Sequence, residues 1–264
     1  MMNVNTAKLK NDLAFIWRFS KDDFKNKFAG SVLGTVWAFV QPLMTVVIYW
    51  FVFEVGFKNQ PVNGYPYVLW LMTGLFSWFF FSDAISSSAA CLVEYSYLVK
   101  KVLFDIKILP LVKICSVFYV QIFLLAFNTI VFLCCGYSID LYVLQVLYYL
   151  LYMFVLVTGI SYFTAALYVF FRDISQIISI VLQVVFWTTP FVWNIDIMPE
   201  AVRAVIRLIP TYYIVTGYRD SFIHKVGFWE TPGMCVYYWM ISLLIFFTGI
   251  LFFKKLKPHF ADVL

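Results

Sequence analysis

Charge is what this sequence has least of. Only 12% of its 264 residues are charged, while 63% are hydrophobic and 22% aromatic; soluble domains average about one quarter charged. Too few polar side chains remain to coat a water-soluble globule of this length. Histidine is almost missing: His224 and His259 lie in separate segments, which leaves a histidine metal site or a histidine-centred relay without support. The five cysteines, Cys91, Cys115, Cys134, Cys135 and Cys235, lack metal-ligand spacing, and the adjacent pair reads as small apolar helix residues rather than a redox couple. A phosphate loop is absent too, because GSVLGT at residues 30–35 has no lysine where GxxxxGK[ST] needs one. The first thirty residues carry charges throughout and show no apolar core of a cleavable signal peptide. Glu54 and Asp83 are the acids within the apolar runs. An ionisable group at membrane depth is a functional candidate, but two isolated acids make no proton relay, and Asp83 has Ser82 and Ser86 as possible partners. A self-powered pump is disfavoured.

What is present is a series of apolar runs, each long enough to cross a bilayer at roughly 20 residues per span. Six are expected, at 36–57, 68–90, 109–136, 141–171, 174–192 and 234–253. They are continuous rather than alternating, which argues against a β-barrel. The fourth is too long to stand upright and is expected to tilt or bend, with Gly159 as a weak point. The reading is an all-α integral membrane protein: six transmembrane helices, an amphipathic interface helix at the N-terminus, and short external re-entrant helices before the last span. One domain covers 1–264.

Lysine and arginine set the orientation. Lys8, Lys10, Arg18, Lys21, Lys25 and Lys27 precede the first span, Lys100, Lys101 and Lys107 separate the second from the third, Arg172 separates the fourth from the fifth, and Lys254, Lys255 and Lys257 follow the last. With six spans all of them fall on one side, which places both termini in the cytoplasm. The net charge of +5 is therefore a topology signal and not a sign of nucleic-acid binding.

Two segments outside the spans have their own pattern. Within 1–34, Leu9, Leu13, Ile16, Trp17, Phe24 and Phe28 recur at helical spacing with charged residues mostly elsewhere, as in a helix lying in the headgroup layer. Gly30 and Gly34 make a GxxxG, readable as a close helix contact or as a helix break. Within 194–233, Pro199 opens a helix whose apolar face is Ala201, Val202, Val205, Ile206 and Ile209, and Pro210 ends it. A second apolar-aromatic stretch follows, in which Arg219 and Asp220 read as a local polar anchor.

At this point the residues resemble a family. FKNKFAGSVLGTVWAFVQPLMTVVIYW carries Ser31, Leu33, Gly34, Trp37, Gln41, Pro42 and Leu43 of an SxLGxxW…QPL opening. YLVKKVLFDIKILPL carries Leu98, Val99, Lys100, Lys101, Val102, Phe104, Leu109, Pro110 and Leu111 of LVKKVxFPxxxLPL. FRDISQIISIVLQVVFWTTPFVW and the ending FADVL follow the same pattern. Together they are similar to the permease subunits of ABC-2-type polysaccharide exporters, which carry O-antigen, capsule or teichoic acid chains. Asp105 departs from that pattern, which has proline there.

The resemblance implies a permease for a lipid-linked polysaccharide in the cytoplasmic membrane. It implies a homodimer served by two copies of a separate ATPase, which would bind the ATP and magnesium. It implies a coupling helix at 95–107, with Leu98, Lys100, Lys101, Phe104 and Asp105 meeting that ATPase. Arg172 and Asp173 lie either near the same interface or at the headgroups as a helix anchor. It also implies a gate in the N-terminal helix, at Trp17, Arg18, Phe24 and Phe28. Sugar rings stack their C–H faces on aromatic planes, so Tyr49, Trp50 and Phe53 of the first span and Phe186, Trp187, Phe191 and Trp193 of the fifth are the candidate substrate path. The competing reading of those rings is a lipid-facing interfacial belt. Two rival functions remain: an ABC-2 permease for a small hydrophobic compound, and a membrane-embedded transferase, which the scattered acids disfavour.

Overall fold

The computed structural model describes residues 2–99 and 105–263. They form α1 (Met2–Asn26), α2 (Trp37–Trp50), α3 (Tyr67–Ala89), α4 (Cys91–Glu94), α5 (Ser96–Val99), α6 (Ile108–Cys134), α7 (Val146–Phe170), α8 (Ile174–Thr188), α9 (Glu200–Ile206), α10 (Pro210–Arg219), α11 (Pro232–Leu256) and α12 (Phe260–Val263). Among the described residues there is no β-strand, only an isolated bridge between Val62 and Tyr65. The all-α membrane expectation holds. Five helical stretches are long and apolar enough to cross a bilayer: Gly34–Gly56, Tyr67–Ala89, Ile108–Cys134, Leu141–Phe170 and Pro232–His259. The remaining expected span, 174–192, is apolar but its helix α8 has 15 residues, about 22 Å at 1.5 Å per residue against a hydrocarbon core of about 30 Å.

Burial sorts these helices into two groups. Leu69, Leu71, Leu75 and Ala84 of α3, with Tyr152, Met153, Val157 and Ala165 of α7, are almost wholly inaccessible and make the centre of the bundle. By contrast Met44 and Ile48 of α2, Ile177, Ile180 and Val184 of α8, and Leu244 and Leu251 of α11 are exposed. In water such surface would drive aggregation, whereas in a bilayer hydrocarbon is the solvent it requires.

Local chemistry explains the joints. Gly30 and Gly34 take φ of +86° and +53°, where a Cβ would be strained although it would meet nothing within 4 Å. GxxxG here is a helix break between α1 and α2, not a packing contact. Gly159 works the other way: a Cβ there would lie 2.6 Å from the Phe246 Cα, and Gly249 faces it from α11. Helix α7 runs unbroken through Gly159, so the expected weak point is a site of close helix approach. The extra length of that span is taken up by a 3-10 turn over Leu141–Gln145. Pro199 caps α9 as expected, but Pro210 opens α10 instead of closing the helix before it, since α9 already ends at Ile206.

Both chain ends lie at one end of the bundle. Phe19 of α1, Tyr95, Leu98, Ile106, Val169 near the end of α7, Phe253 of α11 and Phe260 of α12 share one apolar cluster. We refer to this as the basic end, after the lysines that gather there, and to the opposite one as the far end.

Candidate functional site

At the far end, α2 and α8 meet through rings at their outer halves. Tyr49 contacts Phe53 edge-on at 6.2 Å and stacks on Phe186 at 6.1 Å. Phe186 in turn lies parallel to Phe191 at 5.8 Å, and both pack on Trp78 of α3. Of the candidate path residues, the fold thus joins Tyr49, Phe53, Phe186 and Phe191 into one stack. Phe186 and Phe191 are buried within the chain, so they support that face from behind. Tyr49, Trp50 and Phe53 are half-buried, and Trp187 is 52% exposed. Trp193 donates its indole N–H to the Trp187 carbonyl at 3.2 Å, which folds the segment after α8 back on the helix.

A polar clamp holds that segment. Arg219 of α10 is 5% exposed, lies 3.4 Å from the centre of the Trp70 ring, and donates to the carbonyls of Pro190 at 2.7 Å and Phe191 at 2.8 Å. Among the described residues no carboxylate forms an ion pair with it; π-density and two carbonyl dipoles carry the charge. Gly74 leaves it room, because a Cβ there would sit 2.7 Å from the guanidinium. Tyr67 donates to the Val192 carbonyl at 2.5 Å, and the Thr189 and Thr211 hydroxyls meet at 2.6 Å. The anchor expected of Arg219 is thus real, while Asp220 turns away to His224 at 2.7 Å. Glu54 has a partner too: its carboxylate accepts the Val68 N–H at 3.1 Å, capping the start of α3, where a negative charge is favoured.

At the basic end the contacts are ionic. Asp23 of α1, 5% exposed, accepts from Lys113 of α6 at 2.6 Å, and Lys113 also reaches Glu94 of α4 at 2.9 Å. Tyr95 donates to Asp23, and its ring lies 4.9 Å under the Lys113 ammonium. Burial and the Asp23 hydrogen bond push the Tyr95 phenol up from its ordinary value. Sequence reasoning missed this cluster. The signal was Lys113, a cation inside an apolar span, which requires a partner.

The gate candidates divide around it. Phe24 touches Phe28, Phe39 and Tyr119, and Trp17 meets Tyr119 edge-on at 5.5 Å. Arg18 and Leu13 point outward. The packed stripe of α1 is therefore Phe19, Ser20, Asp23 and Phe24, with Asp23 buried in it because Lys113 pairs with it.

Of the coupling candidates, Lys100, Lys101 and Phe104 lie outside the described residues. Leu98 packs on the cluster of the basic end. Asp105 pairs with Lys257 at 3.1 Å and Lys107 at 3.6 Å. Partial burial opposes ionisation of Asp105, but the Lys257 hydrogen bond and both ammonium charges outweigh it and hold the carboxyl below its usual range. Arg172 and Asp173 are exposed in the turn before α8, with Arg172 over the Tyr168 ring at 5.6 Å. The preceding Phe170 packs on Phe260, so Lys257 and Phe260 link the C-terminal segment to both Asp105 and that turn.

Among the described residues no group of three or more metal-ligating side chains gathers. A family model described as ABC-2 type transporter matches residues 15–223. An O-antigen export system permease protein, RfbA, of Klebsiella pneumoniae is 26% identical over 272 residues, covering 98% of this chain and 100% of that protein. A Myxococcus xanthus protein of the same name is 25% identical over 253 residues, covering 91% of each.

Proposed function

This chain belongs to the ABC-2 type transporter family, and from that premise we propose that it is the transmembrane permease subunit of an exporter for a lipid-linked polysaccharide of the O-antigen kind. The observation that carries the reading is the end-to-end match to O-antigen export permeases. The chain is a multi-pass membrane protein and a transporter subunit rather than an enzyme, and ATP hydrolysis belongs to a partner ATPase. The finer proposals are a homodimer in the cytoplasmic membrane, two ATPase copies, and the basic end facing the cytoplasm. The exposed face of α8 and the outer part of α2 from Tyr49 onward would then meet a second copy, with Tyr49, Trp50, Phe53 and Trp187 along the path of the glycan and Phe186 and Phe191 behind them. Closure of the ATPases would act on residues 95–107, whose flanks are tied to α1 through Glu94 and Lys113 and to the C-terminal segment through Asp105 and Lys257.

Depletion of the protein in its host, followed by fractionation of surface and lipid-linked glycan, tests the reading. Lipid-linked glycan retained inside, with a bare surface and intact synthesis, is the expected result. Unchanged surface glycan in a host with no second exporter would overturn it in favour of a small hydrophobic cargo.

A further inference from the structure

Among the described residues, Asp83 is the carboxylate of the apolar spans that the fold leaves without a partner. Glu54 caps a helix, and Asp23, Glu94 and Asp105 have lysines. Asp83 lies about three-quarters of the way along α3 toward the basic end, is exposed, and lines a cavity of about 290 Å³ between the end of α1, α2, α3 and α6. Phe24, Lys27, Gln41, Thr45 and Ser116 share the wall. Among the described residues neither Lys27 nor Asp83 forms an ion pair. Two opposite charges thus line one cavity without a direct ion pair between them, Lys27 lying over the Phe28 ring, beside an amide, two hydroxyls and the rings of Phe24, Phe28 and Phe79.

The cavity has a neighbour of different character. A second hollow, of about 530 Å³, shares Lys27, Phe28, Gln41 and Thr45 with it and continues past Trp37, Met44 and Ile48. Met44 and Ile48 are 51% and 54% exposed on the outer face of α2. A chamber of mixed lining, with charged, amide and hydroxyl groups among its apolar walls, therefore adjoins a hydrocarbon-lined groove along α2. The ligand that matches both is an amphiphile whose head carries an anion and hydroxyls. The ammonium takes the anion, while carboxylate, amide and hydroxyl groups take sugar or glycerol hydroxyls.

We propose that the chamber between α1, α2, α3 and α6 binds the phosphate-linked, hydroxylated head of a membrane lipid, with Lys27 on the phosphate and Asp83 on the hydroxyls, while its chain leaves along Met44 and Ile48. That head belongs either to the exported lipid-linked glycan or to a bilayer phospholipid. The first identification rests on the function proposed above.

The test is a binding titration on the full-length protein in phosphatidylcholine nanodiscs. The probe is a fluorescent polyprenyl diphosphate-linked N-acetylglucosamine. Lys27→Gln and Asp83→Asn should each weaken it about tenfold, the loss of one charge-assisted hydrogen bond, while Lys25→Gln, on the exposed side of α1, leaves it unchanged. With a phosphate-free polyprenyl glycoside the Asp83→Asn loss should persist and the Lys27→Gln loss should vanish. Equal affinity in all variants overturns the proposal. Gln41→Ala repeats the comparison if Asp83→Asn fails to fold. Displacement by phosphatidylglycerol, with the same dependence on the variants, keeps the site and assigns it to a bilayer phospholipid; its failure to displace assigns the lipid-linked glycan. Normal surface glycan after depletion, with probe binding intact, would remove the export reading and leave the site standing.

Discussion

The two ends of this molecule are held by different chemistry. At the far end, rings and neutral hydrogen bonds dominate: Tyr148 lies parallel to Phe228 at 4.1 Å, Tyr213 to Tyr238 at 4.4 Å, and Trp239 donates to the Tyr148 hydroxyl at 2.8 Å. Its buried cation, Arg219, rests on carbonyls and an indole. At the basic end, Asp23, Glu94 and Asp105 meet Lys113, Lys107 and Lys257. Rings and carbonyls enclosed by protein and lipid have no alternative partners, so the core of the far end is fixed in one arrangement, and its ion pairs, Lys225–Asp140 and Arg203–Asp196, lie at the surface. Ion pairs with one half-exposed member, such as Glu94 and Asp105, exchange partners with water at small cost. The end that a partner ATPase is proposed to move thus has half-exposed ion pairs between its helices, with one buried pair, Asp23–Lys113, as its fixed point.

Removing that fixed point should give the largest effect. Lys113→Ala leaves Asp23 buried without a counter-charge, at a cost of about 3–5 kcal/mol. Unfolding in detergent should show it, and Asp23→Asn in the same chain should recover most of the loss. No recovery would mean that Lys113 acts by packing, which would end the contrast between the two regions. The second effect, about 2–3 kcal/mol, is expected for Arg219→Gln, which strands the Pro190 and Phe191 carbonyls and the Trp70 face. Unlike Lys113→Ala, it should not depend on any acidic residue, and Arg219→Lys should restore only part, since an ammonium lacks the planar fork. A smaller loss, about 0.5–1 kcal/mol, is expected for Glu54→Gln, which removes a negative charge from the start of α3. Denaturant midpoints in one detergent would rank the three.

This contrast was only half legible in the amino-acid order. Hydropathy delimits the five long spans because each must match a fixed thickness of hydrocarbon, and it carries the sixth run past the end of α8 because continuous apolarity does not mark the turn and bends at 189–193 that Arg219 holds. The motifs around Gly34, Pro42 and Arg172 identify the family. Asp23 was hidden by its charge: it lies seven residues after Ile16 and four after Phe19, on the apolar side of the wheel, and Lys113 across the interface is what lets an acid be buried there. Glu54 was hidden for a related reason, since its partner is a backbone N–H 14 residues away. Of the candidate path, Tyr49 and Phe53 share a face by helical spacing, but the burial of Phe186 and Phe191 depends on Trp78, to which nothing in their own segment points.

The smallest expected effect tests the half-exposed side of the contrast. Asp105 stands where the resembling exporters have proline, and its carboxylate joins the start of α6 to the C-terminal segment through Lys257. Its side chain is 32% exposed, so after screening by solvent the pair is worth about 0.5 kcal/mol or less. Because the folded carboxyl sits below the ordinary value of about 3.9, its contribution is complete above that value and is lost as the pH falls through the lower folded value. Asp105→Asn should therefore lower the melting temperature slightly at pH 7, and the difference from the native chain should close on acidification below about 4. The same variant should lose that difference in high salt, which screens half-exposed pairs, whereas Arg219→Gln should keep its deficit at every pH and ionic strength. A salt-insensitive Asp105→Asn would place Asp105 with the fixed contacts of the far end, and the division between a rigid end and a movable one would have to be drawn elsewhere.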